Sequence, residues 1–406
     1  MQDNGLNIDH LRGDFPVFES GIAYLDSASS AQKPQSVIDA ISNAMSSRYA
    51  NIHRGLYDFS QVKTEEFEGV RERVASFIGA RSSKEIIYTR NATEAINLVA
   101  QSWGRQHLRE GDEIIISEME HHANIVPWQL LRDQIGIKIK TIPVLDNGSL
   151  DLEAFERMLT PKTMLVSVVH ISNALGTVNN VKKIIDIAKD FYPDMKVLID
   201  GSQAVVHSDV DVLKLNADFY VFTGHKLYGP TGVGVLWGRY EVLESMPPYQ
   251  GGGDMIEEVR FEQSTFKLPP ARFEAGTPAI IEVIGLGAAI DYLGSVGMEA
   301  IHAHEDNMLS YGIDALKQID GVRLIGEADD RAGIISFTAD WGHPSDIGMI
   351  LNECNVAVRT GHHCCQPLMS RFDIDATVRA SIGLYTNKQD IDKLTEGLNK
   401  AKSMLG

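Results

Sequence analysis

The stretch Leu198-Ile199-Asp200-Gly201-Ser202-Gln203, followed further along by Thr223-Gly224-His225-Lys226, decides the fold. Each part begins in a short apolar run and then breaks into glycine and polar residues, which is typical of a buried strand at its carboxyl end. Ligands of open α/β sheets bind just beyond the carboxyl ends of the strands. We therefore expect the polar side chains of both parts to meet in one crevice.

A carboxylate and an amine held in one crevice suit pyridoxal phosphate. This cofactor needs a lysine for its Schiff base and an acid against its pyridine nitrogen. Lys226 and Asp200 are the candidates, since burial favours the neutral form of a lysine and an ionised Asp200 would keep the ring protonated. The alternative is an ordinary surface lysine and a capping aspartate, and the spacing of the two residues does not decide between these interpretations.

Length and composition limit the class of protein. A chain of 406 residues exceeds what one hydrophobic core usually fills, so two domains are expected. The net charge of −18 argues against a nucleic-acid or anionic-membrane partner. No apolar run reaches the ~18 residues of a membrane span, and the start of the chain does not read as an export signal. Three cysteines are too few for a disulfide framework, so we expect a cytoplasmic protein.

Strand and helix patterns alternate from residue 85 to residue 237, which predicts an α/β fold with a mostly parallel sheet and helices on both faces. The region after Gly238 is poorly patterned, and the last part of the chain predicts a smaller α+β unit. The predicted domains are an N-terminal segment at 1–20 packed on the small domain, a large domain at 21–293 and a small domain at 294–406. Other predicted elements are a short helix and linker over 7–18 that end near Pro16, a helix from 93 to about 103, and strands over 322–325, 333–338 and 356–359.

Two positions on the large unit are candidates for binding the cofactor. Thr93 begins a predicted helix, where free N–H groups attract a phosphate, although a plain helix cap would look the same. No Gly-x-Gly-x-x-Gly motif accompanies it, so a nicotinamide site is unsupported. His121-His122 follows a predicted strand, and an imidazole there could stack on a pyridine ring and move a proton. Zinc binding by the pair is disfavoured because adjacent histidines rarely ligate one metal.

A polar loop near the C-terminal end, Arg359-Thr360-Gly361-His362-His363-Cys364-Cys365-Gln366, carries two adjacent cysteines. A cysteine beside imidazoles and cations can act as a nucleophile. A vicinal disulfide is disfavoured, because neighbouring Cα atoms lie closer (~3.8 Å) than disulfide geometry requires. A metal site is possible from composition, but four consecutive residues cannot easily point at one ion. Inert burial of the thiol is most plausible for Cys354.

Arg379 interrupts a run of small and apolar residues. A partly buried arginine there could clamp a substrate carboxylate, and a structural ion pair is the competing interpretation. The loop Asn51-Ile52-His53-Arg54-Gly55 also carries an imidazole and a cation without an obvious structural role.

The motifs together resemble those of the class V, fold-type I pyridoxal-phosphate enzymes, and most closely the group II cysteine desulfurases of the SUF system. The similarity runs nearly end to end. The stretches that carry it are Tyr24-Leu25-Asp26-Ser27-Ala28, His53-Arg54-Gly55, Met119-Glu120-His121-His122-Ala123-Asn124, Ser172-Asn173, Asp200-Gly201-Ser202-Gln203, Gly224-His225-Lys226, Arg272-Phe273-Glu274-Ala275-Gly276-Thr277 and Arg359-Thr360-Gly361-His362-His363-Cys364. The last of these is the group II signature.

The resemblance implies a large domain with a mostly parallel seven-stranded sheet and a smaller C-terminal α+β domain that carries the cysteine loop. It implies a homodimer that converts L-cysteine to L-alanine and leaves a persulfide on Cys364. The sulfur would pass to a small acceptor protein of the SUF system for iron–sulfur cluster assembly. Some relatives also act on L-selenocysteine.

The resemblance also implies a role for each site residue and no metal. Lys226 would form the Schiff base, Asp200 would pair with the pyridine nitrogen and Gln203 with the phenolic oxygen. His122, the second of the pair, would stack on the ring and move a proton. The phosphate would be held by Thr93, Thr223 and His225, with Thr277 from the partner subunit. The substrate would be bound by Asn173, Arg379, Arg359 and His53.

The sequence departs from the family pattern at a few positions. Cys365 stands where alanine is usual and could resolve a persulfide or be neutral. Ser29, Thr223 and Ala95 are mild changes. Two rival functions remain at this point: an aminotransferase or kynureninase-like enzyme that does not need Cys364, and a sulfur or metal carrier that does not need Lys226.

Overall fold

The computed structural model describes residues 6–406. Its strands, numbered along the chain, are β1 (Ala23–Tyr24), β2 (Ile86–Thr89), β3 (Glu113–Ser117), β4 (Lys138–Ile142), β5 (Thr163–Val169), β6 (Lys196–Asp200), β7 (Phe219–Thr223), β8 (Gly234–Gly238), β9 (Ile256–Val259), β10 (Ser264–Phe266), β11 (Val322–Ile325), β12 (Ile334–Ala339), β13 (Val356–Ala357), β14 (Arg359–Gly361) and β15 (Thr377–Ser381).

The helices are α1 (Ile8–Arg12), α2 (Gln35–Ser46), α3 (Asp58–Phe77), α4 (Ala92–Val99), α5 (Arg105–His107), α6 (Val126–Ile135), α7 (Leu152–Met158), α8 (Val181–Phe191), α9 (Ala204–His207), α10 (Val212–Leu215), α11 (Tyr240–Ser245), α12 (Ile280–Val296), α13 (Met298–Lys317), α14 (Pro344–Glu353), α15 (Gln366–Arg371) and α16 (Lys388–Leu405). A π-helical stretch, Ala100–Gly104, joins α4 to α5, so the helix predicted to end near 103 continues to 107.

Seven of the described strands form the large sheet, in the order β2-β8-β7-β6-β5-β3-β4. All neighbouring pairs from β4 to β7 are parallel, and β8 runs antiparallel to both of its neighbours. Side chains alternate between two cores: Phe219 and Val221 of β7 face one core, and Tyr220 and Phe222 face the other. Burying each such side chain contributes about 1.5–3 kcal/mol, which holds the strand ends in place. The predicted mostly parallel seven-stranded sheet is confirmed.

The small sheet has the order β11-β12-β15-β14 and is antiparallel throughout. The prediction of one strand over 356–359 is wrong, because the chain there divides between β13, which pairs with β1, and β14. The sequence did not predict β15, since Arg379 breaks its apolar pattern. The hairpin of β9 and β10 was also unpredicted, because its side chains are mostly exposed and carry no buried face.

The N-terminal segment contacts α16. The short helix predicted near the start of 7–18 is α1, and a 3₁₀ turn, Pro16–Ser20, follows it, since Pro16 cannot donate the hydrogen bond that would continue an α-helix. Arg12 Nη1 donates to Asp390 Oδ2 at 2.6 Å and to the carbonyl of Tyr385 at 2.7 Å. The predicted division at residues 20 and 293 stays a prediction, and residues 1–5 of its first segment lie outside the described residues.

None of the helices between residues 6 and 406 is by itself long and apolar enough to cross a membrane. The pair α12 and α13 reaches that length and apolarity only when joined across a bend of 79°.

Candidate active site

A cleft of about 200 Å³ lies at the carboxyl ends of the central strands of the large sheet. The ends of β5, β6 and β7 and the start of α4 form one side of the cleft. Residues of the small sheet form the other side. The side chains that line it and were predicted from the sequence are Thr93, Asn173, Asp200, Gln203, Thr223, His225, Lys226, Arg359, Cys364 and Arg379. The rule that ligands bind beyond strand ends thus placed most of the site.

Lys226 occupies the turn that follows β7, and Asp200 ends β6. Desolvation lowers the pKa of the Lys226 ammonium to about 8, with the charge of Asp200 opposing this shift and that of Arg379 adding to it. Asp200 is buried, and its Oδ1 accepts the Ser202 N–H at 3.0 Å. A lysine with a lowered pKa and a fixed carboxylate in one cleft are the pair that pyridoxal phosphate requires.

The other end of the cleft holds polar groups suited to an anion. Thr223 Oγ1 is buried and has no hydrogen-bond partner among the described residues. Burial, helped by Lys226, lowers the pKa of His225 to about 4, so its ring is a neutral hydrogen-bonding group. Asn91 caps α4 by accepting from Glu94 N–H at 2.9 Å, which leaves the exposed Thr93 at the first turn of that helix. An unpaired buried hydroxyl beside a helix N-terminus fits a phosphate.

His121, and not His122, lines the cleft. The resemblance implied that His122, the second histidine, stacks on the cofactor ring, but its side chain does not line the cleft. The chain turns sharply after β3, so that consecutive side chains point in different directions. Burial, with the neighbouring charge of Lys226 adding to it, lowers the pKa of His121 to about 4 and leaves a neutral ring. The ring of His122 instead lies 5.6 Å from that of His362.

Glu120 positions the turn that carries His121, and the sequence did not single it out as a site residue. Its fully buried carboxylate accepts from Ser117 Oγ at 2.5 Å, Asn124 Nδ2 at 2.7 Å and the Val169 N–H at 3.0 Å. These bonds join the end of β3 to the end of β5. Burial raises the pKa of Glu120 to about 7, so the three donors are what keep the carboxylate in place.

The cysteine loop enters the cleft between β14 and α15. Cys364 is exposed and lines the cleft, whereas Cys365 is fully buried. The Cys365 thiol donates to Asn173 Oδ1 at 3.2 Å, and burial raises its pKa to about 12. All three cysteines are unpaired. A protonated, enclosed thiol is a poor nucleophile, so of the two adjacent cysteines Cys364 is the candidate nucleophile.

Arg379 lies on β15 between Asn173 and Asp26. Its Nη1 donates to the carbonyl of Asn173 at 2.8 Å and its Nη2 to Asp26 Oδ1 at 3.0 Å, while its buried Nε has no partner among the described residues. Asp26 also pairs with Arg359 at 3.3 Å. The structural ion pair is therefore present: Asp26 fixes the guanidinium, and the Nε–H group is left without an acceptor among the described residues. Asp26 was missed as a site residue, although a polar residue directly after the short strand β1 is the signal that could have found it.

Besides His122, two predicted site residues lie away from this cleft. His53 is exposed, has a φ of 70° and bonds to Glu68 Oε1 at 3.0 Å. Thr277 lines a second cavity of about 280 Å³ together with Tyr249, Gln250 and Glu274. Within the described chain, no group of three or more histidine, cysteine, aspartate or glutamate side chains could hold a metal ion.

Comparison with known proteins agrees with this geometry. Residues 23–394 match the family described as aminotransferase class-V. The chain belongs to this family. It is 47% identical over 405 residues to a cysteine desulfurase of Dickeya dadantii, covering 98% of each chain. A cysteine desulfurase of Serratia proteamaculans is 46% identical, with 98% of this chain and 99% of the relative covered.

Solved structures of related proteins have the same fold. The crystal structure of the cysteine desulfurase CsdA (S-sulfonic acid) from Escherichia coli superimposes with a TM-score of 0.93 at 37% identity, covering 99% of this chain and 100% of that one. A C-DES mutant with glycine covalently linked to its PLP cofactor has a TM-score of 0.83 at 25% identity, covering 95% and 98%. The expected resemblance to class V pyridoxal-phosphate enzymes is confirmed.

Proposed function

We propose that this protein is a pyridoxal-phosphate-dependent cysteine desulfurase that makes L-alanine from L-cysteine and stores the sulfur as a persulfide on Cys364. The observation that carries the proposal is one cleft lined by the Lys226 amine, the Asp200 carboxylate and the exposed Cys364 thiol. Full-length relatives named cysteine desulfurases support it. A carrier protein would not need Lys226, and an aminotransferase would not need Cys364.

The residues present fit the cofactor. Lys226 would bind it covalently, Asp200 would pair with its pyridine nitrogen and Gln203 would lie beside the ring. Thr223, His225 and Thr93 would hold the phosphate, and Thr223 has the unpaired hydroxyl for it. Bound there, pyridoxal phosphate supplies an electron sink for the substrate carbon. We assign the stacking role to His121, since it lines the cleft and His122 does not.

The chain's own residues would orient and activate the substrate. The unpaired Nε–H of Arg379 donates to the substrate carboxylate, with Asn173 beside it. The Lys226 amine, whose pKa is lowered to about 8, takes the α-proton. The neutral His121 ring is the group placed to take the proton of the substrate thiol, a role expected earlier for His122.

Sulfur transfer is the step assigned to Cys364. Its thiolate attacks the substrate sulfur, and a sulfur–sulfur bond forms as the carbon–sulfur bond breaks. The electron pair stays with the carbon, which gains a proton to become the methyl group of alanine. Cys365 takes no part, because its enclosed thiol donates to Asn173 and keeps its proton. The same arrangement would accept L-selenocysteine, whose preference a competition between the two substrates measures.

We further propose a homodimer working in the cytoplasm, where the three thiols remain reduced. Thr277 lies on a cavity separate from the cleft, so it would reach the phosphate of the partner subunit and not of its own. His53 is exposed and does not line the cleft, and we assign it to the same interface. Exposure of Cys364 lets a small acceptor protein of a SUF-type system collect the sulfur for iron–sulfur clusters.

A single assay tests the function. The purified protein is loaded with pyridoxal phosphate and given L-cysteine, and alanine and persulfide sulfur are measured. We expect alanine and sulfur in equal amounts. Pyruvate or a keto acid with no persulfide would reject the desulfurase in favour of another enzyme of this fold. Absence of cofactor absorbance would reject the class of enzyme altogether.

A further inference from the structure

His122 lies outside the cleft, yet it is bonded to the cysteine loop at two points. Its backbone N–H donates to the Cys364 carbonyl at 2.8 Å, and its ring Nε2 accepts the Gln366 N–H at 3.3 Å. On the loop itself, His362 Nδ1 accepts the Cys364 N–H at 3.1 Å. The backbone N–H and carbonyl of Cys364 are therefore each bonded to a histidine.

The cysteine loop adopts a backbone conformation that needs such support. His363 has a φ of 51° and Cys364 a φ of 57°, and both follow Gly361 at 115°. Left-handed backbone costs a residue other than glycine roughly 1–3 kcal/mol and persists only where surrounding contacts impose it. The two imidazoles are contacts of this kind, and both act as hydrogen-bond acceptors, which only an unprotonated ring nitrogen can do.

We propose that His122 and His362 form a neutral-imidazole clasp that holds the Cys364 loop in the cleft and releases it when the rings are protonated. The proposal rests on the proposed function, because the residue held is the proposed sulfur acceptor. His122 and His362 are positioning residues. They act through Cys364, and neither is required to touch the substrate.

The direction of the pH effect follows from the bonds. A protonated ring cannot accept from the Cys364 or Gln366 N–H, and two charged rings with centroids 5.6 Å apart would repel. Burial and the neighbouring His362 lower the pKa of His122 below its ordinary value of 6.5. The held loop thus binds fewer protons than the released loop. It is fully favoured above about pH 6.5 and weakens as pH falls through the lowered pKa of His122.

Glu120, two residues before His122, also titrates in this range, since burial raises its pKa to about 7. The His122→Gln/His362→Asn variant keeps Glu120 and so separates its effect from that of the clasp. The other charged and titratable groups near the clasp do not oppose this direction. His121, whose ring centroid lies 6.2 Å from that of His122, and His363 have pKa values lowered to about 4 and about 3, chiefly by burial. Both stay neutral while the clasp titrates. Arg359 and Arg379, which act on His363, carry a fixed positive charge. Protonation of the two clasp rings only adds to that charge.

Hydrogen–deuterium exchange on the cofactor-loaded protein tests the clasp, read on the peptide covering residues 359–368. This peptide contains both donor amides. The exchange rates are corrected for the intrinsic effect of pH. We then expect this peptide of the wild type to exchange about tenfold faster at about pH 5.5 than at about pH 7.5. That ratio corresponds to a loss of roughly 1.4 kcal/mol in the free energy that favours the held loop.

Three variants make the test specific. In the double variant His122→Gln/His362→Asn, amide oxygens replace the accepting nitrogens and do not titrate, so protection should persist at both pH values. In His122→Ala/His362→Ala the peptide should exchange fast at both. His343→Asn is the matched control, because His343 Nδ1 accepts the Ser345 N–H in the same local pattern at the start of α14. It should leave the peptide at wild-type rates.

The proposal is overturned if wild-type protection is equal at both pH values, if the Gln/Asn variant keeps the pH dependence, or if the Ala variant stays protected. Exchange of β5, a buried strand, reports folding in every sample. If a double variant loses the protection of β5, the single variant His122→Gln is used in its place. It should lose about half of the wild-type pH dependence, and an unchanged pH dependence would contradict the clasp. The experiment contains no substrate, so failure of the desulfurase proposal would show only in the alanine assay.

Discussion

The Lys226 region and the Cys364 loop face each other across one cleft but are built in different ways. Asp200 and Lys226 follow β6 and β7, two strands buried on both sides of a seven-stranded sheet. Cys364 follows the three-residue strand β14 and lies in a left-handed turn held by polar contacts. The difference teaches that the proposed cofactor residues lie at the ends of buried strands, where packing fixes their position. The proposed sulfur acceptor lies on a segment whose position depends on a few hydrogen bonds.

The largest expected effect comes from the Lys226 region. Lys226→Ala removes the base and the covalent anchor together, and alanine formation should fall by about 10⁴-fold, the upper end for a lost acid–base group. The characteristic absorbance of the bound cofactor should disappear, while the Cys364 thiol should still react with an alkylating agent. Lys214→Ala is the control, because this side chain on α10 is 85% exposed, and it should have neither effect. Retained cofactor absorbance in Lys226→Ala would refute the assignment.

The next effect separates the two adjacent thiols. Cys364→Ala should abolish alanine formation from L-cysteine and leave the cofactor bound, since the Lys226 region is untouched. Cys365→Ala should keep activity within a few-fold and lower the free energy of unfolding by about 1 kcal/mol, the worth of one buried hydrogen bond. Alanine assays and denaturant unfolding of both variants measure this. If Cys365→Ala is the inactive one, the nucleophile has been assigned to the wrong sulfur.

The same comparison explains what the sequence could predict. The strand-end rule placed Asp200, Gln203 and Lys226 correctly, because buried strands of a parallel sheet have long apolar runs and end in visible polar breaks. It did not separate His121 from His122. Adjacent residues in a turn have identical composition signals, and the turn that carries both rings is fixed by hydrogen bonds of the buried Glu120 that are not visible in the sequence.

The small sheet was harder to predict for a related reason. Arg379 sits in the middle of a buried strand, where its charge is balanced by Asp26, a residue more than 350 positions away along the chain. No local pattern shows such a pair. The strand β15 was therefore missed, although Arg379 itself had been singled out as a charge without a local partner.

A third prediction concerns the substrate clamp. Arg379→Lys keeps the positive charge but removes the planar set of donors that bonds to Asn173, Asp26 and the substrate. Loss of one charge-assisted hydrogen bond, about 1.5–3 kcal/mol, should raise KM by roughly 10- to 100-fold. Steady-state kinetics with L-cysteine measure the change, and Arg323→Lys on the outer strand β11 serves as the control. An unchanged KM would leave Arg379 as a structural ion pair only.

A fourth prediction uses the pKa of Lys226. Capture of pyridoxal phosphate by the cofactor-free protein needs the uncharged amine, so its rate should rise with pH through about 8 and then level off. Asp200 opposes the lowering, so Asp200→Asn should move the midpoint to lower pH. Stopped-flow absorbance across pH gives both midpoints. A midpoint near the ordinary lysine value of about 10.4 would contradict the desolvated cleft.

The smallest expected effect is at the phosphate. Thr223→Val keeps the shape of the side chain and removes the unpaired hydroxyl. Pyridoxal phosphate should bind about fivefold more weakly, as one neutral hydrogen bond of about 1 kcal/mol is lost. Equilibrium dialysis measures the affinity. Tighter binding by the valine variant would mean that the hydroxyl has no partner in the loaded protein either.

The most direct test of the central claim is the location of the sulfur. The cofactor-loaded protein is mixed with L-cysteine, alkylated at once and digested, and tandem mass spectrometry is used to read the peptide that contains both adjacent cysteines. The account predicts one extra sulfur atom on Cys364 and none on Cys365. An extra sulfur on Cys365, or alanine released with no persulfide on either residue, would contradict it.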